Sequence, residues 1–91
     1  MSIAGVVPGW LIGYLVREDD ATCEYRLLPV VSLVGEADGD IEPVVMLPDG
    51  RTARASDAGE RVFAAGPDED AFKIANAHAS QRGRRARRIL A

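Results

Sequence analysis

Ile41-Glu42-Pro43-Val44-Val45-Met46-Leu47-Pro48-Asp49-Gly50-Arg51-Thr52-Ala53-Arg54-Ala55-Ser56 is the stretch on which the fold turns. Its apolar run is short and β-branched, and it stops at Pro48-Asp49-Gly50, the residue chemistry of a tight hairpin with glycine in the left-handed region. A strand over Ile41 to Leu47 and a return strand from Arg51 to about Ser56 follow from that reading.

Upstream the same punctuation recurs. Trp10 to Arg17 alternates with period two, placing Trp10, Ile12, Tyr14 and Val16 on one face, and the acidic turn Glu18-Asp19-Asp20 ends it. Cys23 to Val34 sets Cys23, Tyr25, Leu27, Val31 and Leu33 against Glu24, Arg26, Leu28, Val30 and Val34. It becomes apolar on both sides after Leu27, which predicts burial of both faces or a bend near Pro29. Pro29-Val30-Val31-Ser32-Leu33 is echoed by Pro43-Val44-Val45-Met46-Leu47; two copies are too few for a repeat architecture and read instead as two core strands.

Downstream, Asp57-Ala58-Gly59 marks a turn and Arg61 to Ala65 a short fifth strand. From Gly66 the pattern becomes helical. Pro67 suits a first turn, Asp68, Glu69 and Asp70 complement the positive end of the helix dipole, and Phe72, Ala75, Ala79, Ala86 and Leu90 share one stripe. A single helix is expected from about Asp68 to Leu90, weakened at Gly83.

The expected fold is therefore mainly β: a small five-stranded meander barrel or curved sheet of the SH3-like kind with a C-terminal α-helix. Residues 1–66 form an acidic β domain, and 67–91 a helix with an arginine-rich tail. At 91 residues with five aromatic side chains, there is room for one modest core. The single cysteine, Cys23, precludes an intrachain disulfide and fits a reducing compartment. Ile3 to Val16 is too short and too glycine-broken to span a membrane, and no signal peptide is expected. The expected setting is the cytoplasm or a bacterial or viral assembly.

Charge separates the two parts. Residues 1–70 hold 14 acids and five bases, a net −9, whereas 71–91 hold six bases and no acid, a net +6, within a total of −3. Arg82, Arg84, Arg85, Arg87 and Arg88 are five guanidinium groups in seven residues, and guanidinium forks bind phosphate or carboxylate by two-point contacts. The plainer alternatives are a solvated tail that serves only solubility and a tail that folds back on the acidic body. No aromatic interleaves it to stack on bases, so base-specific reading is not expected.

Glu36, Asp38, Asp40 and Glu42 alternate, which in an extended segment would project four carboxylates to one side. The calcium-loop glycine and distal glutamate are absent, so no metal is expected. His78 lacks a second ligand or triad partner, and Cys23 reads as a small buried hydrophobe. No cofactor motif is present.

The sequence thus leads to the expectation of a non-enzymatic binding or structural assembly protein whose arginine-rich C-terminal helix contacts a polyanion or an acidic protein surface. Its expected partner is another protein, a further copy of the chain, or nucleic acid through the tail. The alternative is an acidic nucleic-acid mimic that inhibits a basic partner through Glu36, Asp38, Asp40 and Glu42.

Overall fold

The computed structural model describes residues 3–4, 9–35 and 37–88. Its elements in chain order are β1 (Ile3–Ala4), β2 (Leu11–Glu18), β3 (Thr22–Gly35), β4 (Ile41–Met46), β5 (Thr52–Arg54), β6 (Arg61–Ala65), α1 (Ala71–Gln81) and β7 (Arg85–Arg88), with a 3₁₀ turn over Ala55–Asp57. The protein is mainly β, as its turn spacing predicts. No helix among the described residues is long and apolar enough to cross a membrane.

The turns form for local reasons. At the β4–β5 hairpin Gly50 takes φ +89°, Leu47 N–H donates to the Arg51 carbonyl at 2.7 Å, and Asp49 Oδ1 accepts from Arg51 N–H at 3.0 Å. At the β2–β3 hairpin Asp19 Oδ1 accepts from the N–H groups of Ala21 and Thr22 at 2.8 and 2.7 Å. The return strand β5 stops at Arg54, two residues short of expectation, because the chain enters the 3₁₀ turn there.

β2 to β5 form an antiparallel meander, and β6 returns to the outer edge of β2, giving the order β5-β4-β3-β2-β6. Among the described residues β5 and β6 do not pair, so the sheet is open and the closed barrel is not formed. β3 holds the architecture together. Its first half pairs with β2 on one side and with β7, in parallel, on the other; its second half pairs with β4 and β1. The register slips between Val30 and Ser32, close to the bend expected at Pro29.

Both faces of β3 are buried, by different layers. One face carries Ile12, Tyr14, Leu28, Val45 and Ala55, enclosed where β4 and the 3₁₀ turn fold over it. On the other, Cys23 and Tyr25 meet Ala75 and Ala79 of α1, with Phe63, Phe72 and Ala86 packed around them. Alanine at the two buried central positions, Ala75 and Ala79, lets the helix backbone lie close to the sheet. Burying each large aliphatic side chain contributes about 1.5–3 kcal/mol.

Two sequence expectations are corrected. Trp10, Ile12, Tyr14 and Val16 do not share one buried face: Ile12 and Tyr14 are core, but Trp10 and Val16 are exposed, Val16 because a bulge between Leu15 and Arg17 puts it out of register. The helix, moreover, neither begins at Asp68 nor reaches Leu90.

Asp70 is the N-cap, its side chain accepting from Phe72 and Lys73 N–H. The helix ends at Gln81 because Gly83, at φ +72°, closes it: Gly83 N–H donates to the Ser80 carbonyl at 3.0 Å and Arg84 N–H to the Ala79 carbonyl at 2.9 Å. That pair of bonds is the Schellman arrangement. Beyond it the chain becomes β7, so the arginine-rich segment is a strand and not a helical arm. Ala86 still packs beside Ala75 and Ala79, but from a strand; Leu90 lies outside the described residues.

Candidate functional site

The five arginines of the C-terminal cluster divide into two groups. Arg82 is the helix C-cap, and its fork donates to both carboxylate oxygens of Glu18, at 2.7 and 2.6 Å. Arg84 Nε donates to the Asp19 carbonyl at 2.6 Å and lies 3.1 Å from Glu18 Oε2, while its Nη1 donates to the Arg82 carbonyl at 2.6 Å. These two fasten the C-terminal segment to the β2–β3 turn. The hydrogen bond from Arg82 holds the Glu18 carboxyl below the usual range, and the same pairing raises the Arg82 guanidinium further.

Arg85, Arg87 and Arg88 sit on β7 and are exposed; their side chains make no hydrogen bond or ion pair with the described residues. β7 runs parallel to β3 with Arg85 opposite Thr22, Ala86 opposite Cys23, Arg87 opposite Glu24 and Arg88 opposite Tyr25. Ala86 faces the helix, so by alternation Arg85 and Arg87 face the opposite side and Arg88 shares the side of Ala86.

The side bearing Arg85 and Arg87 holds three more arginines from distant parts of the sequence. Across β2, β3 and β7 the register aligns Arg17, Glu24 and Arg87 in one row. One step along, β6, β2 and β3 align Arg61, Tyr14 and Arg26. Arg17 and Arg61 are exposed, and Arg26 is half-buried with its Nε shielded and lacking an acceptor among the described residues. Period-two reading of single strands misses this grouping, because it arises only when four strands are placed in register.

The acidic row expected at residues 36–42 is not formed as a row. Glu36 lies outside the described residues. Asp38 to Asp40 occupy a turn in which Asp38 Oδ1 accepts from Asp40 N–H at 3.0 Å, and Glu42 Oε1 accepts from Ser56 N–H at 2.9 Å, a bond that lowers its affinity for protons. Among the described residues no group of three or more Asp, Glu, His or Cys side chains is arranged to hold a metal ion.

His78 and Cys23 each find a partner where α1 meets β3, which the sequence does not reveal. The Tyr25 hydroxyl and His78 Nδ1 share a hydrogen bond at 2.5 Å, and the Cys23 thiol lies 3.7 Å from Glu18 Oε2. Tyr25 and Cys23 have no solvent exposure, and burial pushes the Tyr25 phenol well above its ordinary range. The arrangement satisfies a buried hydroxyl and positions the helix on the sheet. Compared with known protein families, characterised proteins and solved structures, the chain matches none.

Proposed function

We propose that this protein is a non-enzymatic binding component that contacts a polyanion or an acidic protein surface through the arginines of β7. The observation that carries this reading is the division of the cluster: Arg82 and Arg84 spend their donors on Glu18 and on carbonyls, whereas Arg85, Arg87 and Arg88 present theirs to solvent from a strand that, among the described residues, pairs with β3 alone. Fixing β7 to the sheet orders the backbone that carries these side chains before a ligand arrives, which lowers part of the entropic cost of binding. The strand order β6-β2-β3-β4-β5, with a 3₁₀ turn leading into β6, supports reading the sheet as an open SH3-like arrangement that acts as a platform.

The test is retention on immobilised heparin and on immobilised polyglutamate at pH 7 in 50 mM salt. A chain of net charge −3 is not held by its overall charge, so retention reports a local basic surface. The wild type is expected to be retained on at least one matrix and to elute as salt rises. The Arg85→Gln/Arg87→Gln/Arg88→Gln variant, with unchanged circular dichroism, is expected to flow through. Equal retention of the variant overturns the reading.

A further inference from the structure

Resting on that reading, we infer that the binding surface is wider than β7 and is built for phosphodiester: Arg17, Arg26 and Arg61 of the sheet act with Arg85 and Arg87 as one nucleic-acid backbone site. The sheet register places these five positions on one side of β6, β2, β3 and β7, with Glu24 between Arg17 and Arg87, and with Asp19 and Glu42 near enough to act on Arg17 and Arg61. Strands lie about 4.8 Å apart and alternate residues about 6.6 Å apart along a strand, so the five positions cover a patch on the order of 13 Å by 14 Å. Within one row Glu24 faces Arg17 and Arg87 and offsets part of their charge. A ligand carrying several anionic groups at short, regular intervals adds charge-assisted hydrogen bonds at the guanidinium positions that remain.

The composition of the patch separates nucleic acid from an acidic protein. Protein–protein interfaces are enriched at their centre in aromatic side chains, methionine and arginine, so the discriminating feature is not the arginine but the lack of an exposed aromatic or methionine anchor in these rows. Here the centre is Arg17, Glu24, Arg26 and Arg87, and the one aromatic ring, Tyr14, is buried with its hydroxyl engaged by the Ala55 carbonyl at 2.7 Å. Interfaces with nucleic acid are polar and strongly basic. With no exposed ring in these rows to stack on a base, the contact is to phosphate, which suits duplex over single strand and carries no sequence preference.

The experiment is fluorescence-anisotropy titration of a labelled 20-base-pair DNA duplex between 50 and 200 mM salt, with circular dichroism and thermal melting of each variant as folding controls. Five phosphate contacts correspond to a log–log salt slope of about −4.5, an affinity loss of about 500-fold over that range. Arg17→Gln/Arg26→Gln/Arg61→Gln is expected to reduce the slope to about −2. Since Arg26 is half-buried, the exposed pair Arg17→Gln/Arg61→Gln serves as a second variant, with an expected slope of about −2.7. Two duplexes of unrelated sequence are expected to bind within about twofold of each other.

A slope unchanged in both variants but reduced by Arg85→Gln/Arg87→Gln overturns the extended site while leaving the β7 reading intact. Tighter binding of polyglutamate than of duplex at equal salt overturns the phosphodiester assignment alone. Failure of the wild type to bind heparin, polyglutamate and duplex at 50 mM salt overturns the β7 reading itself.

Discussion

Arg82 grips Glu18 through two parallel hydrogen bonds, Nε to Oε2 at 2.7 Å and Nη2 to Oε1 at 2.6 Å, joining the end of α1 to the end of β2 across 64 residues of chain. Arg84 adds its own contacts to the same turn, so one carboxylate fixes the approach of β7 to β3.

Glu18→Gln is therefore expected to loosen β7 selectively. The Glu18 carboxyl titrates lower in the folded protein than in the unfolded chain, because Arg82 bonds its ionised form. Its contribution is thus present above the unfolded carboxylate value and is lost as pH falls through the lower folded value. In backbone chemical shifts of Arg85 to Arg88, the wild type should keep strand values at pH 7 and lose them only under acid. Glu18→Gln should lack them already at pH 7 and show no acid step. Strand shifts that persist in the variant would show that β7 holds without the pair.

Gly13 and Phe63 form a second pair whose geometry sets a limit. A Cβ at Gly13 would land on the Phe63 ring, which lies flat over the glycine between β2 and β6. Gly13→Ala is expected to cost about 1–3 kcal/mol in urea unfolding through overpacking. Combined with Phe63→Leu, it should cost less than the sum of the two single changes, because the smaller side chain removes the clash. Strict additivity would place the strain elsewhere.

Much of the sheet is legible in the sequence because turn chemistry is local. Asp49-Gly50 and Asp19 close their hairpins with bonds inside four or five residues, so reading those residues places the turns. Val16 defeats period-two reading because a bulge is set by how β2 meets β3, not by the residues of β2 alone. The arginine side is hidden for the same reason: Arg17, Arg26 and Arg61 are scattered single charges until β6, β2 and β3 are aligned. The stripe Phe72, Ala75, Ala79 and Ala86 is a correct list of packing residues with the wrong geometry, since one apolar residue spaced seven from Ala79 satisfies either a helix or a returning strand.

Tyr14 predicts the alkaline limit of the fold. Burial raises its phenol above the ordinary value, and its hydroxyl donates to the Ala55 carbonyl at 2.7 Å. An acid whose folded value is raised contributes stability that is present below its unfolded value near 10 and is lost as pH rises through the folded value. Tyr25, also raised by burial, acts in the same direction. Unfolding midpoints in urea should be steady from pH 7 to 9 and decline above about 10. Tyr14→Phe should lower the midpoint at pH 7 by about 1 kcal/mol and flatten the alkaline decline. An alkaline decline of undiminished slope in Tyr14→Phe would assign the transition to Tyr25 alone.

Gly83 decides whether the last arginines belong to a helix or to the sheet. It adopts φ +72°, and a Cβ there would meet nothing within 4 Å, so a substitution acts through backbone conformation alone. Alanine in the left-handed region costs about 1–2 kcal/mol, and alanine is also the strongest helix former, so Gly83→Ala both weakens the stop and favours continuation of α1. Continuing the helix would break the Gly83 and Arg84 N–H bonds to Ser80 and Ala79 and withdraw β7 from Thr22 to Tyr25. The expected result is a loss of about 1 kcal/mol in urea unfolding, chemical shifts at Arg85 to Arg88 displaced from strand toward helix, and a weaker heparin interaction, since Arg85 and Arg87 leave the sheet. Gly83→Asn, which tolerates the left-handed region, should lose less by every measure. If Gly83→Ala is as stable as the wild type and keeps its strand shifts, then Glu18 and the Ala86 contact, and not the glycine stop, hold the arginine strand in place.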